Sequence, residues 1–486
     1  MKIVHELSKT IVIVVIAVIG FLVFTFFPVH FDFSKNSAYT LSPATKKTIS
    51  SIDKLLTIQV FLSSDLPTKL LTLKTDVTEL LQEYRRSGKN IQVKMLDPKG
   101  DTKVADQAKQ YGIPQMQFSQ LEQNKYQVSA AYFGIVLTYG DKTEVIPQVT
   151  DYTNLEYNLT SAIYRMTRTE MPSIALVGES SASQTDPFAL LKQTLSQQYT
   201  VSSVDLKTIK PEDEAAFLTK YKTMIVLDPE PQSYTTEQIQ LLKKFYEAGG
   251  NVLVFSGGTS IDEQTLSAQA SSNNINELTA TYGAQINSDF VLSTSAEYVN
   301  FGNSQGQFLA AYPFWIRSSI FDDKSGLFAN LQYVSFPWTS SLSLTKKDSF
   351  QVSPLILSSD RSWIQKGTFT LSPDSLPQPK MSELQARVLG ALIKNSKGGE
   401  MVVVASSRFP NEKYIGQGSG NLDFILNTVD MFSSGGALSG IRSRSTSSYP
   451  ISDLSDSQKD VYKYAAILLF PLLWGIYGGI RLLRRK

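Results

Sequence analysis

The sequence predicts an α/β protein in which two membrane helices flank the folded part. Uncharged apolar runs extend from Thr10 to Val29 and from Tyr464 to Ile480, and each is close to the roughly 17 to 25 residues of a membrane span. Between them, patterns typical of strands alternate with patterns typical of helices, which favours parallel sheets covered by helices. The 486 residues include two histidines and no cysteine, so the folded part lacks groups on which much catalysis depends.

The residues beside the two apolar runs predict their orientation. The first run ends in the bulky Phe24–Pro28, a poor cleavage site for a signal peptide, which favours an uncleaved anchor. The second run is followed by the basic tail Arg481–Lys486, and Lys and Arg beside a span favour the cytoplasmic side. We therefore expect a two-pass protein of the cell (inner) membrane, with both termini in the cytoplasm and the main domains outside it.

The second apolar run also contains a possible helix-packing motif. Gly475 and Gly479 form a G-x-x-x-G, and Pro471 and Trp474 come just before it. Small residues four apart let two membrane helices approach closely, although glycine is also common in membrane helices in general. The motif predicts that these four residues pack against a helix of a partner protein.

Composition limits the possible partners and cofactors. The net charge is +2, of which the N-terminal stub contributes +1 and the C-terminal tail +4, so the remainder is near −3. This balance gives no basic field for nucleic acid. The absence of cysteine excludes disulfides, thiolate metal sites and thiol nucleophiles. We expect no metal and no cofactor.

A first α/β unit is predicted within residues 31–170, after the first span (1–30). Its order of elements, β-α-β-α-β-β, resembles a thioredoxin-like unit, but the cysteine pair through which that scaffold normally works is absent. We therefore expect a rigid binding or spacing module, joined to the next domain by an amphipathic helix. The elements are a helix after Ser42-Pro43, strands at Leu56–Leu62 and Ile91–Leu96, helices at 66–84 and 102–111, strands at 126–139 and 143–149 joined by Gly140-Asp141, and the linking helix Asn154–Arg168.

A second α/β unit is predicted over residues 171–432. Apolar strands alternate with helices there, which predicts a doubly wound parallel sheet, with an irregular aromatic-rich insertion at about 285–385. Ligands of such sheets bind beyond the carboxyl ends of the strands, although the residues there are also ordinary turn formers. The candidate ligand-binding residues are Gly178, Glu179, Ser180, Asp228 and Ser256. A Ser/Gly-rich linker (433–460) and the second span with its tail (461–486) follow.

Few side chains of the folded part suit catalysis. Both histidines, His5 and His30, lie at the first apolar run, which excludes a Ser-His-Asp triad or a histidine-ligated zinc in the outer domains. Glu179, Asp228 and Glu230 leave a carboxylate-dependent hydrolase formally open, but surface turn residues are the more ordinary interpretation. We predict no catalytic residue and no enzymatic activity. The aromatic residues between 312 and 363 are either a glycan or peptide platform or, more typically, core.

Five segments together resemble a known family. They are Tyr39–Thr45 (YTLSPAT), Leu96–Pro98, Thr153–Ile163 (TNLEYNLTSAI), Gly249–Val254 (GGNVLV) and the closing Pro-containing span with its Arg-Arg. Across nearly the whole chain they resemble the GldG-like auxiliary component of ABC transporters, best known from gliding motility. The resemblance implies a second unit similar to class I glutamine amidotransferase-like domains without catalytic residues. One departure is the turn Gly178–Ser181 (GESS), where the family often has a Gly-His-Gly-Glu-like turn.

The resemblance implies a non-enzymatic subunit that works with a separate permease and a separate cytoplasmic ATPase. The chain contains no Walker A motif, so a partner must hydrolyse the nucleotide. We expect an extracytoplasmic subunit of an ABC transporter complex that packs on the permease and whose outer domains bind a substrate or an envelope component. The alternative is a membrane-anchored glycan-binding or scaffold protein independent of a transporter.

Overall fold

The computed structural model describes residues 40–438 and 441, except 65, 67, 123–124, 151, 153, 180–185, 229–232, 264, 273, 304–305, 323–324, 329–330, 373–375, 377–378, 416–418, and adds residues 460, 461, 463, 464, 467, 468, 471, 474, 475, 477 and 478. The chain divides after Arg444 into two units. In the second unit the described residues are helical.

The two predicted membrane helices are not supported. Within the part of the chain that the structure describes, no helix is both long and apolar enough to cross a bilayer. The longest helix there, Thr68–Ser87, has 20 residues but carries lysines, arginines and acidic residues along its length. This finding contradicts the two-pass membrane location. Residues 10–29 and Gly479 lie outside the described residues, whereas Pro471, Trp474 and Gly475 are helical and Trp474 is exposed.

The N-terminal part of the first unit, residues 40–167, is built around a four-stranded sheet. Its order is β2-β1-β5-β6, with β1 and β2 parallel and the other pairs antiparallel. A separate hairpin pairs β3 with β4. The elements are α1 (Pro43–Ser50), β1 (Leu56–Leu62), α2 (Thr68–Ser87), β2 (Ile91–Leu96), α3 (Thr102–Gln110), β3 (Met116–Glu122), β4 (Lys125–Ala131), β5 (Phe133–Tyr139), β6 (Lys142–Ile146) and α4 (Leu155–Thr167).

Local sequence explains where these elements begin and end. Ser42 caps α1 by accepting a hydrogen bond from Thr45 N–H, and Pro43 occupies the first turn, where a missing N–H costs nothing. Gly140 has φ +60° in the turn between β5 and β6, which favours glycine at the first central position of a two-residue hairpin. The helix α4 then buries Leu159 and Ile163 in the same core as β1 and β5.

The C-terminal part, residues 172–441, contains an eight-stranded mixed sheet of order β17-β20-β22-β23-β10-β9-β7-β8. Its elements are β7 (Ser173–Val177), α5 (Ala189–Ser196), β8 (Thr200–Val204), α6 (Glu214–Lys220), β9 (Thr223–Leu227), α7 (Thr236–Glu247), β10 (Asn251–Phe255), β11 (Thr259–Asp262), β12 (Ser267–Ala270), α8 (Asn276–Thr279), β13 (Ala284–Ile286), β14 (Asp289–Ser293), β15 (Ala296–Asn303), β16 (Gly306–Ser318), β17 (Ile320–Phe321), β18 (Val334–Pro337), β19 (Leu342–Leu344), β20 (Phe350–Leu357), β21 (Ser362–Lys366), β22 (Val388–Asn395), β23 (Glu400–Val404), α9 (Glu412–Ile415) and α10 (Asn421–Ser434).

Helices cover both faces of this sheet. In β7, Ile174 and Leu176 belong to one apolar cluster, and Ala175 and Val177 belong to the other. The first cluster includes side chains of α5 and α10, and the second includes side chains of α6 and α7. Because β7 is buried on both faces, its sequence is a nearly continuous run of apolar residues.

The predicted fold class is wrong in its specific assignments. The structure is mixed α/β, and neither a thioredoxin-like nor a class I glutamine amidotransferase-like unit is supported. The large sheet is also not all parallel: β22, β20 and β17 extend it in antiparallel pairs beyond β23. A short turn at residues 396–399, with Gly398 at φ +89°, joins β22 to β23, and so short a connection permits only antiparallel pairing.

The aromatic-rich insertion contributes mainly to a core. Tyr312, Phe314, Phe336 and Trp338 are all at most 6% exposed, and several of them pack edge to face. Tyr312 and Phe314 lie in β16 and Phe336 lies in β18, two strands of one three-stranded sheet, and Trp338 directly follows β18.

Candidate functional site

The candidate site lies at the carboxyl ends of four neighbouring parallel strands. β7, β9, β10 and β23 all point the same way, so the segments that follow them meet at one edge of the sheet, which we call the carboxyl edge. This edge is where open α/β sheets bind ligands. Gly178 and Glu179 follow β7, Asp228 follows β9, and Ser256 follows β10. Ser180 and Glu230 lie outside the described residues.

Asp228 and Ser256 are brought together across two adjacent strands. The Ser256 hydroxyl donates a hydrogen bond of 2.9 Å to Oδ2 of Asp228. Ser256 is fully buried, which orients its hydroxyl toward the carboxylate. The pair therefore holds a carboxylate in place at the centre of the carboxyl edge.

Gly178 allows close packing between the ends of β7 and β9. Its φ is +88°, and a Cβ added there would lie 2.0 Å from the Tyr234 hydroxyl and 2.3 Å from the Leu227 carbonyl oxygen. Tyr234 itself donates a 2.6 Å hydrogen bond to that carbonyl, and burial raises its pKa well above the usual range. The Tyr234 side chain thus fills part of the crevice between these two strand ends.

Glu179 forms an ion pair with Lys192 of α5, which also contacts Asp186 at 2.9 Å. Burial opposes the charge on Lys192, but its hydrogen bonds to Glu179 and Asp186 outweigh that effect and raise the pKa of the ammonium group. Burial likewise opposes the charge on Asp186, yet hydrogen bonds from Lys192 and the Phe188 N–H lower its pKa. Lys192 and Asp186 therefore remain charged at neutral pH, and the ion pair with Lys192 holds Glu179 toward α5.

A segment that the sequence did not reveal covers the other half of the carboxyl edge. Residues 338–341, which we call the strap, lie against the ends of β10 and β23. The Ser340 hydroxyl accepts a 2.9 Å hydrogen bond from the Gly258 N–H, and the Ser340 N–H donates one of 2.8 Å to the Ala405 carbonyl. Both carboxylate oxygens of the buried Asp289 accept hydrogen bonds from Ser341. The strap therefore covers the ends of β10 and β23.

The first residue of the strap is strained. Trp338 has φ +44°, a conformation that costs a bulky residue on the order of 1–3 kcal/mol. Its ring packs against Trp315 at 5.2 Å between centroids, and its indole N–H donates a 3.2 Å hydrogen bond to the Tyr312 hydroxyl. The Arg408 guanidinium lies 5.7 Å from the ring. Positive φ at tryptophan has no sequence signature, which is why pattern analysis missed the strap.

Arg408 belongs to a charged cluster beside the strap. Its Nε donates a 3.0 Å hydrogen bond to Oε1 of Glu263, which also accepts one of 2.9 Å from the Tyr414 hydroxyl, and Lys413 contacts the other oxygen. Burial opposes the charge on Glu263, but these hydrogen bonds prevail and lower the pKa of the carboxyl group. The cluster ties the β11–β12 hairpin to the segment after β23. Among the described residues, no group of three or more acidic, His or Cys side chains could hold a metal ion.

Comparisons with known proteins place this geometry in context. Residues 171–428 match a family model described as ABC-type uncharacterized transport system, and residues 35–138 match a domain of unknown function, DUF7088. An uncharacterized protein of Borreliella burgdorferi is 24% identical over 490 residues, which cover 94% of this chain and 93% of that protein.

Two solved structures share only weak similarity. A ThuA-like protein from Bacteroides uniformis is 13% identical, with 56% of this chain and 98% of that chain covered and a TM-score of 0.32. An exo-β-1,4-mannosidase from an Opitutaceae bacterium is 10% identical, with 77% and 49% covered and a TM-score of 0.23. These scores are too low to support an inference about fold or function. The transport family model, in contrast, spans more than half of the chain and includes the whole carboxyl edge. The chain therefore belongs to the ABC-type uncharacterized transport system family of transporter auxiliary components.

Proposed function

We propose that this protein is a non-catalytic subunit of an ABC transporter complex, and that it works with a separate permease and a separate ATPase. Its family membership supports an association with a transporter. The chain has no Walker A motif of its own, which is consistent with nucleotide hydrolysis by a partner. Its own contribution is then binding.

The observation that carries the binding part of the proposal is the Asp228–Ser256 pair. It places an oriented carboxylate at the carboxyl edge, where sheets of this kind bind ligands. Tyr234 lies on one side of Asp228, and the strap lies against the neighbouring strand ends on the other. A ligand with hydrogen-bond donors, either a transported substrate or an envelope component, suits this arrangement.

Purification of the tagged full-length chain from its native host tests the transporter association. Extraction uses a mild detergent, because a permease partner requires it, and mass spectrometry identifies the bound subunits. We expect a multi-span permease and a Walker A ATPase in amounts comparable to the tagged chain. Repeated recovery without either subunit contradicts the proposal and favours a scaffold protein that is independent of a transporter.

Matched variants test the carboxyl edge. In the purified complex, Asp228→Asn removes the charge but keeps the shape, and Glu277→Gln makes the same kind of change at an exposed position. We expect Asp228→Asn to reduce transport-coupled ATPase activity while the subunits still co-purify, and Glu277→Gln to leave both unchanged. Equal activity in the two variants removes Asp228 from the binding site.

A further inference from the structure

One end of the N-terminal part gathers two helix ends and two strand starts. The parallel strands β1 and β2 begin side by side, with Leu56 opposite Ile91, and each follows a helix, α1 or α2, by a short turn. The two turns, residues 51–55 and 88–90, therefore lie together beyond the starts of the strands.

Direct contacts hold the two turns together. The Asn90 side-chain amide donates hydrogen bonds of 3.1 Å and 3.2 Å to the carbonyls of Ile52 and Asp53. A Cβ added at Gly88 would lie 2.6 Å from the Ile49 side chain, so the end of α2 packs closely against the last turn of α1. Side chains from both helix ends and both turns thus share one surface.

This surface, which we call the basic end, has a surplus of positive charge. Six exposed cations lie on it: Lys46, Lys47, Lys54, Arg85, Arg86 and Lys89. Of the two carboxylates beside them, Glu83 pairs with Arg86 at 2.7 Å, and Asp53 accepts a hydrogen bond from the Tyr139 hydroxyl. Six cations against two carboxylates leave a net charge of +4, whereas the chain between the N-terminal stub and the C-terminal tail is near −3 overall.

Helix ends account for only part of this surplus. Lys47 of α1 and Arg85 and Arg86 of α2 lie in last turns, where a cation is favoured because each helix end carries about half a negative charge. Two helix ends therefore offset about one of the four positive charges. The nearby turn after β5 contributes Asp141 and Lys142, whose charges cancel. A field of roughly three positive charges remains, which attracts an anionic surface.

A large apolar side chain lies within the basic end. Leu55 is 58% exposed, although the next residue, Leu56, is fully buried in the core. The Leu56 N–H donates a 2.8 Å hydrogen bond to the Asn90 carbonyl, which holds the adjoining backbone of Leu55 in place at the surface. Lys54 precedes Leu55, and Lys89 lies in the adjacent turn. The exposed leucine is therefore held among cations.

Cations around an exposed apolar side chain suit a membrane surface. Peripheral proteins bind such surfaces by attraction to anionic lipids and by burying apolar side chains at the boundary between headgroups and acyl chains. Lysine and arginine also lay their alkyl stems along apolar surface while the charge stays in water. An acidic protein is the less suitable partner, because protein interfaces are depleted in lysine and enriched in aromatic residues, whereas four of the six cations here are lysines.

We propose that the basic end docks on a membrane surface that contains anionic lipids, with its cations at the phosphates and Leu55 at the boundary between headgroups and acyl chains. Docking of this kind is distinct from spanning the bilayer and needs no transmembrane helix. The inference goes beyond the proposed function and does not depend on it, since a contact with lipid requires no transporter subunit.

A fluorescent probe at position 55 tests this contact locally. The chain has no native cysteine, so Leu55→Cys in the full chain carries a single environment-sensitive fluorophore. The matched control is Leu71→Cys at another exposed leucine, which lies 16 residues before the end of α2 and hence roughly 24 Å from it along the helix. Each labelled chain is mixed with vesicles of phosphatidylcholine alone or of phosphatidylcholine with phosphatidylglycerol, the anionic lipid.

We expect the emission from position 55 to rise and shift to the blue with the anionic vesicles but not with phosphatidylcholine alone, and position 71 to respond to neither. Equal responses at the two positions, or equal responses to the two kinds of vesicle, overturn the inference. A response at position 55 that appears only when an acidic protein partner is bound also overturns it, because that result assigns the basic end to protein recognition.

Charge variants give a second readout, which is co-sedimentation of the full chain with the same vesicles. The first variant neutralises three cations of the basic end: Lys54→Gln, Arg85→Gln and Lys89→Gln. The control removes the same charge from exposed lysines elsewhere: Lys103→Gln, Lys207→Gln and Lys210→Gln.

The measured quantity is the preference for anionic over neutral vesicles. Each cation near an anionic surface strengthens binding by about fivefold, so we expect the first variant to lose at least about tenfold of this preference and the control to lose little. Raised salt should reduce the preference of the unmodified chain, because salt screens exposed charges. An equal preference in the two variants contradicts docking through the basic end.

Discussion

The Thr45 hydroxyl donates a 2.7 Å hydrogen bond to Oε1 of Glu156, 111 positions along the chain. The same oxygen accepts a second hydrogen bond of 2.7 Å from the Ser42 N–H. The Thr160 hydroxyl lies 3.0 Å from the Thr45 hydroxyl. Glu156 is 8% exposed and Thr45 is fully buried. The YTLSPAT and TNLEYNLTSAI segments, which most strongly suggested the family, are therefore two sides of one buried polar network.

Loss of the Glu156 carboxylate should loosen the start of the folded part. Glu156→Ala leaves the Ser42 N–H and the Thr45 hydroxyl without this buried acceptor, which costs on the order of 1–3 kcal/mol. Glu156→Gln keeps an oxygen at the same place and should cost less. We expect faster hydrogen exchange in α1 for the alanine variant, measured by mass spectrometry. Glu79→Ala, at an exposed position of α2, is the control, and equal exchange in both contradicts the role of the network.

Sequence pattern predicted single elements better than their pairing. The strands Leu56–Leu62 and Ile91–Leu96 have the predicted bounds, because alternating side chains reveal a half-buried strand. The strand predicted over 126–139 is instead two strands: β4 pairs with β3, which was missed, and β5 pairs with β1. The break falls at Tyr132, which is neither glycine nor proline, and alternation does not identify a strand's partner.

The candidate site was only partly predictable for the same reason. Asp228 and Ser256 follow apolar strands, and parallel neighbouring strands bring their ends together. The local sequence was therefore sufficient to predict that these two residues lie close to each other. The strap required pairing between β16 and β18, distant tertiary contacts and a strained Trp338. None of these leaves a periodic signal. The membrane prediction rested on apolar composition alone, and the helices of the described residues do not support it.

Alanine at Gly178 should destabilise the carboxyl edge. The added methyl group meets both the Tyr234 hydroxyl and the Leu227 carbonyl, in a backbone conformation that alanine rarely adopts. Strain and overpacking together should lower the free energy of unfolding by about 2–4 kcal/mol. The matched control is Gly140→Ala, where φ is +60° but no atom lies within 4 Å, so only about 1 kcal/mol of strain is expected.

Urea unfolding followed by circular dichroism distinguishes the two glycine variants. Adding Tyr234→Phe to Gly178→Ala removes one of the two colliding atoms and should restore part of the loss. If Gly178→Ala is no less stable than Gly140→Ala, the close approach of Tyr234 to the end of β7 is contradicted.

Removal of the Gln198 side chain should weaken the connection between the two parts of the first unit. Gln198 is 2% exposed, and its amide donates hydrogen bonds to the hydroxyls of Tyr157 and Ser161 on α4. Gln198→Ala leaves buried hydroxyls without this donor, at a cost of roughly 1–3 kcal/mol. We expect faster proteolysis between residues 168 and 172. Gln197→Ala, at the adjacent exposed position, should be cleaved as slowly as the unmodified chain, and equal cleavage of both variants argues against this contact.

Acid should release the β11–β12 hairpin through Glu263. Hydrogen bonds from Lys413, Arg408 and Tyr414 outweigh burial and hold the folded-state pKa of Glu263 below its ordinary value, which is about 4.3 in an unfolded chain. A carboxyl group with a depressed folded-state pKa stabilises the fold fully above the unfolded value, and that contribution is lost as pH falls through the folded value. The contact between Glu263 and Arg408 should therefore persist at neutral pH and weaken below about pH 4.

Tryptophan fluorescence follows this change, because Arg408 lies over Trp338 and Tyr414 packs against Trp315. Glu263→Gln cannot ionise, so at neutral pH it should already show part of the acid-induced signal and should lack the transition that the unmodified chain shows below the ordinary carboxyl range. Glu277→Gln, at an exposed position, should titrate like the unmodified chain. The same acid transition in Glu263→Gln would assign the change to other carboxyl groups.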